Sequence, residues 1–418
     1  MVRAPRPLVL VLALLALVAG GCAAPAPPAP PPAPTVDPGF VHGTDGGPID
    51  RLAATVLSDA QRYWAAEFPA LFGKPWREPD GGFFSADTSA AGGRPPPCSA
   101  SAQDLQGNAY YCAAVDAIAW DRSALLPVLR EHYGDAAVAV VLSHELGHAV
   151  QQRSGVDTRA PADALRTESG ADCYAGSFLR TAADGRAAHL RFSPQQLDRA
   201  LHALIVFRDP IGADPAAGDA HGTSFDRITA FQQGFERGPG SCGQVPHPGT
   251  AITGGRADDA NKPLQESVAA QGIPEFFTRL TGHPWTPPPV RPSGCAADPV
   301  ASCGGAVVYD PRRLGDLHDE IGDQAATTLI ASRQALAALG EQRRPTTGPA
   351  AGRAATCLTG AYTATAPGLS AGDLDEAVEV LLVSDAASRD ARGTSNLTGA
   401  ERVAAFRTGL TGGPQACR

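Results

Sequence analysis

Val141-Leu142-Ser143-His144-Glu145-Leu146-Gly147-His148-Ala149-Val150 sets two histidines four residues apart, with a glutamate directly after the first. On a helix such residues share one face, a turn apart. His144 and His148 can then aim imidazole nitrogens at one ion, with Glu145 projecting beside it. That is the pattern of a zinc hydrolase: two neutral imidazoles as ligands, and a carboxylate to take a proton from an activated water. The run just before it, residues 136–142, is almost wholly apolar, so the helix is expected to be buried. Read as ordinary core histidines, His144 and His148 would bury much unpaired polarity together with Glu145. Gly147 costs a helix interior about 1 kcal/mol against Ala, which predicts a close approach to its backbone.

Outward from this helix the pattern predicts helices over 50–72, 123–133 (broken at Pro127), 135–153, 162–182, 194–207 and 223–235. Short strands are expected at 83–84 and within 109–120, the stretch 117–120 being placed to align a substrate by main-chain pairing. The chain has 418 residues and a net charge of −9 with no basic block. The length suits two domains, and the charge argues against nucleic acid as a partner. The expected fold class is α+β, mainly helical.

The third zinc ligand should come from a neighbouring helix. Glu168 and Asp172 lie four apart, twenty residues past His148, far enough for the chain to turn back. Glu168 is assigned as third ligand, and Asp172 as the acceptor that fixes the tautomer of a ligand histidine. His221 stands just before Thr223 and Ser224, either of which can cap a helix. It is a candidate donor to a developing oxyanion.

The N-terminus reads as an export signal. Arg3 and Arg6 precede an apolar run at 8–18, which ends in Ala19-Gly20-Gly21-Cys22, similar to a bacterial lipobox with Cys22 as the lipidated residue. An Ala/Pro-rich tether follows, taken as 23–45. The expected location is the outer face of a bacterial cell membrane, held by a lipid anchor; the other reading is a cleaved signal and a free product.

Eight cysteines remain. Their 105 connectivities cannot be resolved by spacing alone, but a repeat helps. Phe68–Trp76 is echoed by Phe277–Trp285, Cys173-Tyr174-Ala175-Gly176 by Cys357-Leu358-Thr359-Gly360, and Gly222-Thr223-Ser224 by Gly393-Thr394-Ser395. Arg227, Phe231, Gly234 and Cys242 are echoed by Arg402, Phe406, Gly409 and Cys417. The expected organisation is a signal at 1–22, a tether at 23–45, a domain at 46–243, a linker at 244–262 and a second copy at 263–418. Copies that fold alone would pair Cys98 with Cys112, Cys295 with Cys303, Cys173 with Cys242 and Cys357 with Cys417. In register, Ser332, Arg333 and Leu336 replace His144, Glu145 and His148, so the second copy should be inactive and the chain should bind one zinc.

Taken together, His144-Glu145-Leu146-Gly147-His148, then Glu168 with Asp172-Cys173-Tyr174-Ala175-Gly176, then His221-Gly222-Thr223-Ser224 with Arg227, Phe231, Gly234 and Phe235, resemble the bacterial family called putative neutral zinc metallopeptidases. The positions of Cys98 and Cys112 fit as well, and the likeness covers about residues 50 to 243. It implies a zincin-like domain with a glutamate third ligand. His144, His148 and Glu168 would bind zinc, Glu145 would be the catalytic carboxylate, and the substrate would be a peptide or protein. The added second copy departs from the family. Two other readings stay open: a non-catalytic zinc-binding envelope protein that binds a partner through its paired domains, and hydrolysis of another amide, such as a cell-wall peptide crosslink.

Overall fold

Pro48, whose fixed φ suits a first helical residue, and Gly73, in the left-handed conformation, bracket the first long helix, α1 (Pro48–Phe72). The computed structural model describes residues 35–418 except 91, 156–163, 212, 215, 219, 255–259, 270–271 and 293–297. The fold is mixed α+β and mostly helical. In order come β1 (Val41–His42), α1, β2 (Gly82–Ala86), β3 (Ala109–Cys112), β4 (Ala117–Asp121), α2 (Leu125–Tyr133), α3 (Asp135–Ser154), α4 (Ala164–Ala183), α5 (Pro194–Val206) and α6 (Ser224–Arg237). Then follow α7 (Pro248–Thr253), α8 (Leu264–Ala269), α9 (Ile273–Thr281), β5 (Val290–Pro292), β6 (Val300–Cys303), β7 (Ala306–Tyr309), α10 (Pro311–Glu320), α11 (Asp323–Glu341), α12 (Pro349–Thr363), α13 (Ala371–Val383) and α14 (Gly399–Gly412). Among the described residues no helix is long and apolar enough to cross a membrane. The signal segment with Cys22 lies outside them.

The histidine-bearing helix α3 is apolar nearly all round, and Ala136 to Leu142 are buried, as a central helix requires. It packs on α1, α2, α4, α5 and β3. Pro127 does not break α2; it sits in the first turn, where no intrahelical partner awaits its missing N–H. The first sheet runs β1-β2-β4-β3, with β3 antiparallel to β4 and the other pairs parallel. That order corrects one expectation. Residues 117–120 form the interior strand β4, buried along its length, and its neighbour β3 is the edge strand on that side of the sheet.

Two expected boundaries also shift. The tether expected through residue 45 is shorter: Pro38 and Val41 are buried and β1 pairs with β2, so the chain joins the fold earlier. The expected linker at 244–262 holds α7, whose first amides, Gly249 N–H and Thr250 N–H, donate to Asp226 at 2.7 and 2.9 Å. Residues 35–418 form one compact unit, with no break between the halves.

Helices α4 and α6 cross with almost no gap. A Cβ on Gly176 would stand 2.0 Å from the Phe231 carbonyl oxygen, and one on Gly234 1.8 Å from that of Cys173. Helices α12 and α14 cross the same way: the distances are 2.0 Å from Gly360 to Phe406 O and 1.7 Å from Gly409 to Cys357 O. A disulfide spans each crossing, Cys173–Cys242 and Cys357–Cys417, both with Cα atoms 5.5 Å apart. Cys98 pairs with Cys112 as expected. Cys303 is disulfide-bonded too, while Cys295 falls outside the described residues. The small sheets also agree, since β5-β7-β6 has one parallel and one antiparallel pair, like β2-β4-β3.

Gly234→Ala should therefore lower unfolding stability by about 1–3 kcal/mol through overpacking. Gly243→Ala, where an added Cβ meets nothing within 4 Å, should leave it nearly unchanged. Thermal denaturation of the two variants beside the wild type checks this.

Candidate metal centre

Helix α3 presents His144 and His148 on one face, and α4 runs back across it. Gly147 is what lets α4 lie so close. A Cβ there would come within 2.9 Å of Ala171 Cα and of the Ala171 carbonyl oxygen. The close approach carries Glu168, one turn before Ala171, onto the histidines. His144 Nε2 lies 3.1 Å from His148 Nε2 and 3.1 Å from Glu168 Oε2, and His148 Nε2 lies 3.5 Å from Glu168 Oε1. Tetrahedral ligand atoms at zinc–nitrogen distances of about 2.0–2.1 Å are about 3.3 Å apart, so this spacing fits the ion.

The protonation pattern points the same way. His144 Nδ1 lies 2.7 Å from Asp172 Oδ1, and an ionised carboxylate only accepts, so Nδ1 donates and Nε2 keeps its lone pair. His148 Nδ1 lies 3.1 Å from Gln151 Oε1. The Gln151 amide is oriented by its own Nε2, which donates to the Thr167 carbonyl at 2.7 Å. His148 Nε2 is therefore bare as well. Two lone pairs and a carboxylate face one point, and Glu168 Oε2 is buried without a hydrogen-bond donor. Such a cluster calls for a cation, and the mixed imidazole and carboxylate set suits zinc.

Electrostatics agree. Burial presses the His144 pKa down, but Asp172 and Glu168 outweigh it and push it up to about 10. Burial opposes ionisation of Glu168 and Asp172, yet the histidines and Arg227 hold both carboxyls below their usual range. The same field that attracts a proton to Nε2 attracts a metal ion, and the two compete. For Glu145 burial dominates and raises its pKa to about 7.

Two contributors went unread in the sequence. Gln151 sits three residues after His148, a spacing that places it on the same helix face and could have flagged it. Arg227 stands out in the sequence as a repeated position and as part of the family resemblance, but with no role attached. Buried on α6, its Nε donates to Asp172 Oδ2 at 2.9 Å and its Nη2 to Oδ1 at 3.0 Å, while Nη1 donates to the Phe207 carbonyl. No local pattern links Arg227 to Asp172 across 55 residues.

His144, Glu145, His148 and Glu168 line a cleft of about 740 Å³. Its walls are β3 with Asn108, the end of α5 with the segment after it, and His221. His221 Nδ1 lies 3.3 Å from Asp209 Oδ1, and that hydrogen bond raises its pKa against the pull of burial. Thr223, not Ser224, caps α6, its side chain accepting from Asp226 N–H. The tripeptide echo of this cap needs correction. Helix α14 is capped by Thr398, while Thr394 donates to Asp390 in the loop before it.

In the C-terminal half the positions expected to be in register with the donor set are filled otherwise. Arg333 is buried, and its guanidinium donates to the carbonyls of Arg389 and Ala387 at 2.6 and 2.9 Å. Burial pulls its pKa down to about 10. At Gly352, in register with Glu168, a Cβ would stand 2.0 Å from the Ser388 carbonyl oxygen, so backbone fills that place. Elsewhere Asp323, Asp373 and Glu376 come together, but this group offers only carboxylates, and Glu376 accepts from Gln324 N–H at 2.8 Å.

Asp172→Asn removes the charge that orients His144 and should weaken zinc binding about 10–100-fold. Competition against a chromophoric chelator measures this; an affinity equal to wild type would contradict the tautomer argument.

Comparison with known proteins places these features. Residues 44–245 match the family described as "Putative neutral zinc metallopeptidase". The uncharacterised protein YpfJ of Escherichia coli K12 is 25% identical over 214 residues, which cover 46% of this chain and 70% of that protein. YpfJ of Escherichia coli O6:H1 gives the same figures. No solved structure matches the chain. The matched residues 44–245 hold the whole donor set and the carboxylate beside it, so the likeness to the putative neutral zinc metallopeptidase family falls on the part of the chain that carries the site.

Proposed function

We propose that the chain is a zinc-dependent peptidase of the bacterial cell envelope, exported and anchored through lipid on Cys22. The observation that carries the hydrolytic reading is the pairing of a convergent donor set with Glu145, a buried carboxylate in the same open cleft. A zinc site that only braces a fold tends to be closed by a fourth protein ligand and has no use for a base. This counts against the non-catalytic reading.

His144, His148 and Glu168 would hold the ion, and zinc bound there supplies a Lewis acid that polarises a carbonyl and acidifies water. Glu145 takes the proton from the attacking water and delivers it to the leaving amine. A pKa raised toward neutrality suits a group that must both accept and donate. His221, kept more readily protonated by Asp209, donates to the oxygen on which negative charge develops. The edge strand β3, in place of the 117–120 stretch, offers main-chain groups along the cleft to an extended peptide. The cleft volume lies in the range of ordinary ligand sites.

The C-terminal half is read as a degenerate copy of the same domain. Shared element order, glycine crossings and disulfide positions support that reading. Ser332, Arg333, Leu336 and Gly352 offer no metal donor where His144, Glu145, His148 and Glu168 stand, so one zinc per chain follows.

Glu145→Gln should retain one zinc by elemental analysis while losing hydrolysis of an unstructured protein such as casein. Full activity in this variant would end the scheme. His221→Ala should lower turnover about 10²-fold and leave zinc content unchanged; unaltered turnover would remove His221 from it.

A further inference from the structure

The last helix of each half starts beneath a carboxylate that the other half supplies. Asp375, on α13, accepts from Phe225 N–H at 3.2 Å, in the first turn of α6. Asp198, on α5, accepts from Gly399 N–H and, at 2.9 Å, from Ala400 N–H, in the first turn of α14. The two aspartates hold the same place in their helices, four residues after Pro194 in α5 and four after Ala371 in α13. Carboxylates at helix N-termini are stabilising, and here each bond crosses between halves.

The packing follows the same exchange rule. Helix α5 lies on α13 and α6 on α14, while α5 touches α14 and α6 touches α13. A contact made twice with the roles exchanged marks a two-fold, isologous interface of the kind that homodimers use. In this chain both partners belong to one polypeptide.

The two caps are not equal in what else they hold. Asp375 Oδ2 also pairs with Arg208 Nε at 2.7 Å. Arg208 lies in the cleft wall between Phe207, whose carbonyl accepts from Arg227, and Asp209, which accepts from the His221 amide at 2.8 Å and faces its ring. Asp375 is 4% exposed, so this ion pair is set inside the junction of the halves. Among the described residues Asp198 has no comparable link to the metal cleft. Its capped helix α14 lies in the half whose equivalent site is filled by Arg333 and backbone.

We propose that the C-terminal half serves the metal cleft as a fused dimer partner, with Asp375 the positioning residue that fixes the wall bearing Arg208, Asp209 and His221. The catalytic consequence rests on the peptidase reading; the mechanical one does not. Loss of Asp375 frees one end of this wall, so His221 loses its fixed place over the cleft.

The test compares Asp375→Asn with Asp198→Asn in the full-length chain. It uses amide hydrogen exchange, zinc content and casein hydrolysis. Asp375→Asn should speed exchange about five- to tenfold in peptides covering 204–211 and 220–226, the scale of one lost helix cap. It should lower turnover with zinc content unchanged. Asp198→Asn should speed exchange at 397–402 instead and leave turnover and the cleft wall as in the wild type. Asp375→Glu, which keeps the charge, should recover part of the protection and keeps the test open if the Asn variant does not fold. Equal effects of the two Asn variants on 204–211 and 220–226 would show general loosening of the interface and overturn the proposal, as would unchanged exchange there in Asp375→Asn. If the wild-type chain hydrolyses nothing, the peptidase reading fails, and the exchange data still decide the role of Asp375.

Discussion

Donor atoms from two helices meet at one point because α4 can lie directly on α3, and Gly147 is the residue that permits it. Any side chain at that position would push against the Ala171 backbone and carry Glu168 away from the histidines. The penalty for a glycine inside a helix, about 1 kcal/mol, is modest beside the binding energy of a metal ion held at its proper spacing. The same principle recurs at the α4–α6 crossing. There Gly176 and Gly234 bring α6 close enough for Arg227 to reach Asp172. Helix spacing set by three glycines thus decides the geometry of the site.

Beyond the donor atoms a chain of polar contacts runs outward. It passes from His144 to Asp172, then to Arg227, and on to the Phe207 carbonyl in the cleft wall. Each member satisfies the next, and Asp172 at the centre of the chain is fully buried. A buried carboxylate left without Arg227, or an imidazole left without Asp172, would carry a large desolvation cost. The result is a rigid support in which the tautomer of His144, the charge of Asp172 and the position of the wall are fixed together.

The C-terminal half has similar packing features around different buried groups. It too has a glycine crossing, a disulfide across it and a buried arginine, Arg402. Arg402 has no carboxylate partner at the Thr356 position and bonds instead to the carbonyls of Leu381, Leu382 and Leu397. Arg333 treats Ala387 and Arg389 in the same way. Backbone carbonyls there accept from tethered guanidinium groups, which satisfies the buried polarity without any donor set for an ion.

Spacing along the chain determined what a helix can encode locally. The pair His144 and His148, the facing of Glu168 and Asp172, the helices around them and the cysteine pairing Cys173–Cys242 were all legible, because helical period and a repeated order constrain them. So was the close approach at Gly147, though not the identity of what approaches. Tertiary structure alone decided the rest. That β3 and not β4 is the sheet edge follows from strand order, which period-two patterning does not specify. The partnership of Asp172 with Arg227 and of Asp375 with Arg208 joins residues far apart in sequence, and no local spacing reports it. The tether and linker boundaries moved because Pro, Gly and small residues read as connection, while burial of Pro38, Val41 and Gly249 depends on surfaces that only the folded chain provides.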